Sequence, residues 1–254
     1  MPALPAAPTE PALRPATSAA PRLLPGEHTW RRRLGFLAAN GCTVASLLLG
    51  VTSIFLALTG DPRIGAICLV GCVVFDGLDG ALARAFGVAS PFGAQMDSMA
   101  DMCSFGIAGP VLVFRWLSAD TPLYVLGPAC ALIAVCAAIR LARFNVSPKD
   151  GSYFSGIPTT IVACILALGC LLHPQHGAPI VVSIAVLAVL MVTTFPYAKL
   201  AQLRRLPLWL AIVPVAGALL DLRTTFLALV AVYLLSGPAI WLFRRRRTAT
   251  AATP

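Results

Sequence analysis

Charge is what this sequence has least of. Asp, Glu, Lys and Arg together make up 11% of its 254 residues, where soluble domains carry about 25%. That shortage excludes an ordinary soluble globular fold before any motif is read. Acidic residues are scarcer still, ten against 19 Lys and Arg. Paired Cys-x-x-Cys spacing is also missing. The eight cysteines all fall in apolar runs, so neither a zinc site on sulfur nor a structural disulfide is expected. Cys68 and Cys72 share a helix face but read as small apolar helix residues. Residues 1–29 are rich in Pro and Ala and hold few large apolar side chains. They lack both a core and the apolar stretch of a signal peptide, so 1–30 is expected to be a disordered tail with nothing cleaved from it.

Long apolar runs are what the chain does have. It is 58% hydrophobic with mean hydropathy +0.85, and a bilayer core needs about 20 apolar residues per helix. Candidate membrane helices fall at 34–59, 64–86, 92–117, 122–146, 157–172, 178–197, 206–220 and 222–243, separated by turn signals such as Gly60-Asp61-Pro62 and Ser118-Ala119-Asp120. With eight helices and both ends inside, 14 of the 19 Lys and Arg lie on the cytoplasmic side and only Arg63, Arg115 and Arg223 outside, with Arg14 and Arg22 in the tail. That positive-inside bias supports the even helix count. It also accounts for the net charge of +9, so no nucleic-acid partner is expected. Arg31, Arg32 and Arg33 mark an uncleaved anchor, and Arg244 to Arg247 a second one meeting anionic lipid. The expected fold is an all-α integral membrane protein of about eight transmembrane helices. Its membrane domain would occupy 31–247, with a short C-terminal tail at 248–254, and it would sit in the cytoplasmic membrane.

Four of the ten acidic residues crowd into "DGLDGALARAFGVASPFGAQMDSMAD", residues 76 to 101. Helical residues turn by about 100° each, so Asp76 and Asp79 diverge by about 60° and Asp97 and Asp101 by about 40°. The short link Gly87 to Pro91 makes the two helices antiparallel neighbours whose acidic faces can oppose each other. A carboxylate at the membrane centre costs about 3 kcal/mol or more, and four together repel. Arg84 alone cannot neutralise them, whereas hard divalent cations with oxygen ligands can. Two such ions about 3.5–4 Å apart clamp a phosphoryl group during displacement. A divalent cation carrier would also place carboxylates in the membrane, but it leaves Arg84 and the small residues Gly77, Gly80, Ala81 and Ala83 without a purpose.

The run Asp76-Gly77-Leu78-Asp79-Gly80, Ala83-Arg84, Gly93, Asp97, Asp101 resembles the full signature of the CDP-alcohol phosphotransferases. The resemblance implies a six-helix catalytic core, here with two further C-terminal helices, and a homodimer. It implies that Asp76, Asp79, Asp97 and Asp101 hold two divalent metals, Mg or Mn, and that Asp101 is also the general base. Gly80, Arg84 and the hydroxyl of Ser90 would contact the CDP moiety. Asn40 and Thr43 of Ala39-Asn40-Gly41-Cys42-Thr43 resemble the family's Pro-Asn-x-x-Thr near the nucleotide, without its proline.

"DSMADMCSFGIAGP" (97 to 110), "IRLARFNV" (139 to 146), "YFSGIPTT" (153 to 160) and "PYAK" (196 to 199) are similar to the phosphatidylserine synthase branch of that family. That branch often reads Gly-Leu-Pro-x-Pro, where this chain has Gly156-Ile157-Pro158-Thr159-Thr160. The expected reaction joins L-serine to CDP-diacylglycerol, giving phosphatidylserine and CMP. Phosphatidylglycerophosphate or phosphatidylinositol-phosphate synthesis are the alternatives of the same class. Serine carries a carboxylate that suits a guanidinium, and Arg140, Arg143 and Asn145 stand where they could read it. The same arginines would otherwise snorkel to lipid phosphates.

Overall fold

The computed structural model describes residues 29–147, 153–172, 178–198, 217 and 219–251. The expected tail therefore falls almost wholly outside the described residues. So does the expected helix 206–220, except at its last few positions, and so do the side chains of Arg244 to Arg247. The chain runs α1 (Trp30–Thr59), α2 (Pro62–Ala85), α3 (Pro91–Asp101), a π-helical turn (Met102–Ile107), α4 (Ala108–Leu117) and α5 (Leu123–Val146). It continues through β1 (Tyr153–Ser155), α6 (Thr159–Leu172), α7 (Ala178–Val192), β2 (Pro196–Ala198) and α8 (Leu222–Ala251).

Among the described residues five spans are long and apolar enough to cross a membrane: α1, α2, the continuous rod Pro91–Leu117, α5, and Leu222–Leu242 of α8. The protein is a helical integral membrane protein. α6 and α7 are shorter, at 14 and 15 residues, or about 21–23 Å at 1.5 Å per residue.

The helices start where their sequences cap them. Asp61 precedes α2 and its side chain accepts from the Arg63 N–H at 2.8 Å, with Pro62 at the first helical position. Ser90 does the same for α3, accepting from Gly93 N–H at 3.0 Å ahead of Pro91. Between them Gly87 adopts φ 62, open only to glycine without strain, and its carbonyl accepts from the Arg32 guanidinium at 3.2 Å.

Packing follows the logic of a lipid solvent. The buried stripe of α1 is small and polar (Ala39, Thr43, Ser46, Gly50, Ser53, Ala57), at alternating spacings of four and three. Its exposed residues are large, among them Leu37, Leu48, Phe55 and Leu58. Small residues let helices approach when lipid tails already solvate the large ones. The hydroxyls on that stripe find carbonyls across the interface, Ser53 to Gly65 O at 2.8 Å and Ser46 to Cys72 O at 3.2 Å. Larger apolar side chains gather between α4, α5, α6 and α7, around Leu117, Leu126, Ile133, Val162 and Ile184.

Three elements differ from the sequence-based expectation. The rod 92–117 is interrupted by the π turn, in which Ala108 N–H bonds Cys103 O five residues back. Pro110 has no N–H to offer the Gly106 carbonyl, which weakens the α ladder at that point. α7 ends at Val192 instead of 197, because Pro196 biases Phe195 out of the α region and 196–198 pair antiparallel with β1, Phe154 opposite Tyr197. The two segments "YFSGIPTT" and "PYAK" are thus hydrogen-bonded neighbours. α8 in turn runs past its expected end at 243, to Ala251.

Candidate active site

Carboxylates of α2 and α3 meet at one place, although each of the two helices packs more closely on α1 than on the other. Asp76, Asp97 and Asp101 converge there, each offering a carboxylate oxygen, all within 4.8 Å of one another and half-buried. Asp79 is buried and points elsewhere, its Oδ2 accepting from Thr43 Oγ1 on α1 at 2.7 Å. The 60° divergence along α2 divides the pair between two neighbours. Asp76 faces α3 and α6, Asp79 faces α1.

A cleft of about 180 Å³ opens beside the cluster between α1, α2 and α3. Asn40, Thr43, Gly80, Arg84 and Ser90 all line it, together with Asp79 and Asp97. The cleft therefore gathers all five residues expected to meet CDP-diacylglycerol and shares Asp97 with the carboxylate cluster. Its floor is kept low at Gly80, where a Cβ would come within 3.2 Å of Arg84 Nη1. The guanidinium lies back over its own helix, one turn from the glycine. Asn40 donates its amide to Phe36 O in the same helix at 2.8 Å. Ser90 uses a lone pair on the α3 cap and keeps its O–H to donate.

The three residues considered for the serine carboxylate separate clearly. Arg140 is buried, donates from Nη1 to Thr159 Oγ1 at 3.2 Å, leaves Nε without a hydrogen-bond partner, and lies within electrostatic reach of Asp101. Arg143 donates to the carbonyls of Val192 (2.9 Å) and Thr193 (3.3 Å), so it caps the C-terminus of α7. Asn145 is exposed and accepts from Ser98 at 3.0 Å, tying α5 to α3. Of the three, Arg140 is the one that faces the cluster.

Reading the sequence missed Thr159 and Thr160, the first two residues of α6. Thr159 accepts from Arg140, and Thr160 Oγ1 lies 3.5 Å from Asp76 Oδ2. The signal was available as the departure from Gly-Leu-Pro-x-Pro, where a hydroxyl replaces a proline ring.

The donor set suits a hard divalent cation, since it offers carboxylate oxygens alone, converging from two helices.

A family model described as CDP-alcohol phosphatidyltransferase matches residues 36–196, more than half of the chain. The chain is 35% identical over 147 residues to a CDP-diacylglycerol–serine O-phosphatidyltransferase of Mycobacterium leprae, covering 55% of this chain and 48% of that protein. It is 34% identical over 143 residues to the enzyme of the same name from Helicobacter pylori, covering 56% and 60%. An archaetidylserine synthase of Methanothermobacter thermautotrophicus is 35% identical over 126 residues, covering 46% and 51%. The chain thus spans about half the length of these curated relatives. With the matched segment running from just before the cleft to the first residue of β2, the chain belongs to the CDP-alcohol phosphatidyltransferase family.

Proposed function

We propose that the protein transfers the phosphatidyl group of CDP-diacylglycerol to L-serine, releasing phosphatidylserine and CMP. The observation that carries the reading is the position of Arg140. A buried guanidinium with an unpartnered Nε reaches the aspartate cluster from α5, while the cleft reaches it from α1, α2 and α3. The cleft suits the cytidine diphosphate moiety, with Arg84 for phosphate and Ser90 as a donor. The Arg140 side suits a small acceptor that carries a carboxylate. The names of the relatives point to the same acceptor.

Asp76, Asp79, Asp97 and Asp101 would together hold two divalent metal ions, Mg or Mn. When bound, these ions would supply neutralisation and polarisation of the pyrophosphate oxygens. Asp101 accepts the proton of the serine hydroxyl as that oxygen attacks the phosphorus bearing diacylglycerol. The new P–O bond forms, the bond to the CMP phosphate oxygen breaks, and Arg84 balances charge on the departing nucleotide. The acyl chains remain in lipid throughout, because the cluster sits at the polar end of spanning helices.

Residues 31–247 are read as one catalytic membrane domain, with 1–30 and 248–254 as tails. The domain is read as a homodimer in the cytoplasmic membrane, with the cluster and both termini on the cytoplasmic side. The Lys and Arg asymmetry supports this orientation. The test offers the purified protein CDP-diacylglycerol with labelled serine, glycerol 3-phosphate or inositol phosphate in turn. CMP release with labelled phosphatidylserine is expected. Turnover with either phosphorylated acceptor and none with serine would refute the assignment.

A further inference from the structure

One hydroxyl reaches Asp76 from outside the α2–α3 pair. Thr160 places Oγ1 3.5 Å from Asp76 Oδ2, while its neighbour Thr159 accepts from Arg140 at 3.2 Å. The first turn of α6 therefore touches both a carboxylate of the cluster and the guanidinium beside it. That turn is fixed from behind. Gly156 adopts φ +79 and donates to Phe195 O at 2.9 Å, and Ile157 donates to Leu190 O at 3.2 Å. The other α2 aspartate shows the same device, Asp79 accepting from Thr43 at 2.7 Å. Each carboxylate of α2 thus takes a threonine hydroxyl from a different helix.

A carboxylate has two oxygens and about four lone-pair sites. A donor fixed on one oxygen sets the rotation of the group and aims the remaining lone pairs, which is how supporting hydrogen bonds tune metal ligands. A proline in place of this threonine, as in Gly-Leu-Pro-x-Pro, would have no hydroxyl to offer. We propose that Thr160 is a positioning residue whose hydroxyl holds the Asp76 carboxylate so that Asp76, Asp97 and Asp101 take a divalent cation together. This rests on reading the cluster as a metal centre.

The experiment measures Mn²⁺ binding to the full chain in detergent without substrate, from the electron paramagnetic resonance signal of free Mn²⁺. Thr160→Val keeps the shape and removes the donor; Thr160→Ser keeps the donor. Thr160→Val should weaken Mn²⁺ binding by roughly 10- to 100-fold, the usual worth of a supporting partner. Thr160→Ser should stay near the parent. With saturating Mn²⁺ the KM for each substrate should return to the parent value. If Thr160→Val does not fold, Thr160→Ala serves in its place. A parent that binds Mn²⁺ with a donor-free variant that binds it equally tightly overturns the proposal and leaves the metal centre standing. A serine variant as weak as the valine one overturns it too, since packing would then be the cause. A parent that binds no Mn²⁺ removes the metal centre itself.

Discussion

Arg140 and Arg143 lie one turn apart on α5, and the structure gives them separable jobs. Arg140 is 8% exposed, and its Nε has no hydrogen-bond partner. A buried polar group left unmatched costs about 1–3 kcal/mol, and a hydrogen bond to a charged group is worth about 1.5–3 kcal/mol. An arriving carboxylate relieves the first and gains the second. Replacing Arg140 by Gln keeps donors and bulk but removes the charge. At about 1.4 kcal/mol per factor of ten, losing 1.5–3 kcal/mol should raise the KM for serine roughly 10- to 150-fold. The KM for CDP-diacylglycerol should change far less, because the cleft that would bind it is built from α1, α2 and α3. Arg143→Gln should act otherwise. Its guanidinium caps Val192 and Thr193 carbonyls, so the loss falls on stability, by about 1–3 kcal/mol, with both KM values near parent. The assay is initial-rate kinetics with each substrate varied in turn, beside thermal unfolding in detergent. Equal effects of Arg140→Gln on both KM values, or a serine KM raised as much by Arg143→Gln, would refute the assignment.

Three further outcomes follow from the same geometry. Chelation should abolish turnover, and Mg²⁺ or Mn²⁺ should restore it; full activity in metal-free buffer would sink the cation reading of the carboxylate cluster. Asp101→Asn should lose roughly 10²–10⁴-fold in kcat, as removal of a general base does, and excess Mn²⁺ should not rescue it. Asp76→Asn should be partly rescued in that titration, and equal rescue of both would place the base elsewhere. Gly156→Ala should lower the unfolding temperature, since φ +79 is strained for an L side chain and a Cβ there would run into the Met191 carbonyl oxygen; the left-handed backbone alone costs about 1–2 kcal/mol. An unchanged unfolding temperature would show that the turn behind Thr160 is free to move.

The sequence was most readable where local chemistry decides. The breaks read at Gly60-Asp61-Pro62 and at Gly87 to Pro91 lead directly into helices, because a side-chain acceptor followed by a ring without an N–H is what a helix N-terminus wants. The i,i+4 spacing of Asp97 and Asp101 put both on one acidic face, and both residues join the cluster. The i,i+3 pairs were harder. A 60° divergence is enough to hand two side chains to different neighbours, so Asp79 turns to Thr43 and Arg143 to the end of α7. Pattern alone cannot say which neighbour stands at each azimuth. The end of α7 was misplaced for a related reason, because an apolar run ending in Phe195-Pro196 reads as membrane helix until its strand partner, distant in sequence, is known.

That distant pairing also gives the C-terminal helix a physical route to the site. Pro238 inside α8 cannot donate to the carbonyl four residues back, Leu234 O. In lipid an orphaned carbonyl is costly, and Tyr197 takes it up, its hydroxyl donating to Leu234 O at 3.3 Å while its ring stacks on Tyr233 at 5.5 Å. Gly237 makes room, since a Cβ there would strike the Tyr197 ring. Tyr197 is the middle residue of β2, β2 pairs with β1, and β1 leads through Gly156 into Thr159 and Thr160. Every link in that series is a hydrogen bond or a covalent step, and the last two residues contact Arg140 and Asp76. A helix that lies beyond the matched family segment is therefore coupled, through a proline-freed carbonyl and a three-residue sheet, to the side of the cluster where the acceptor would stand.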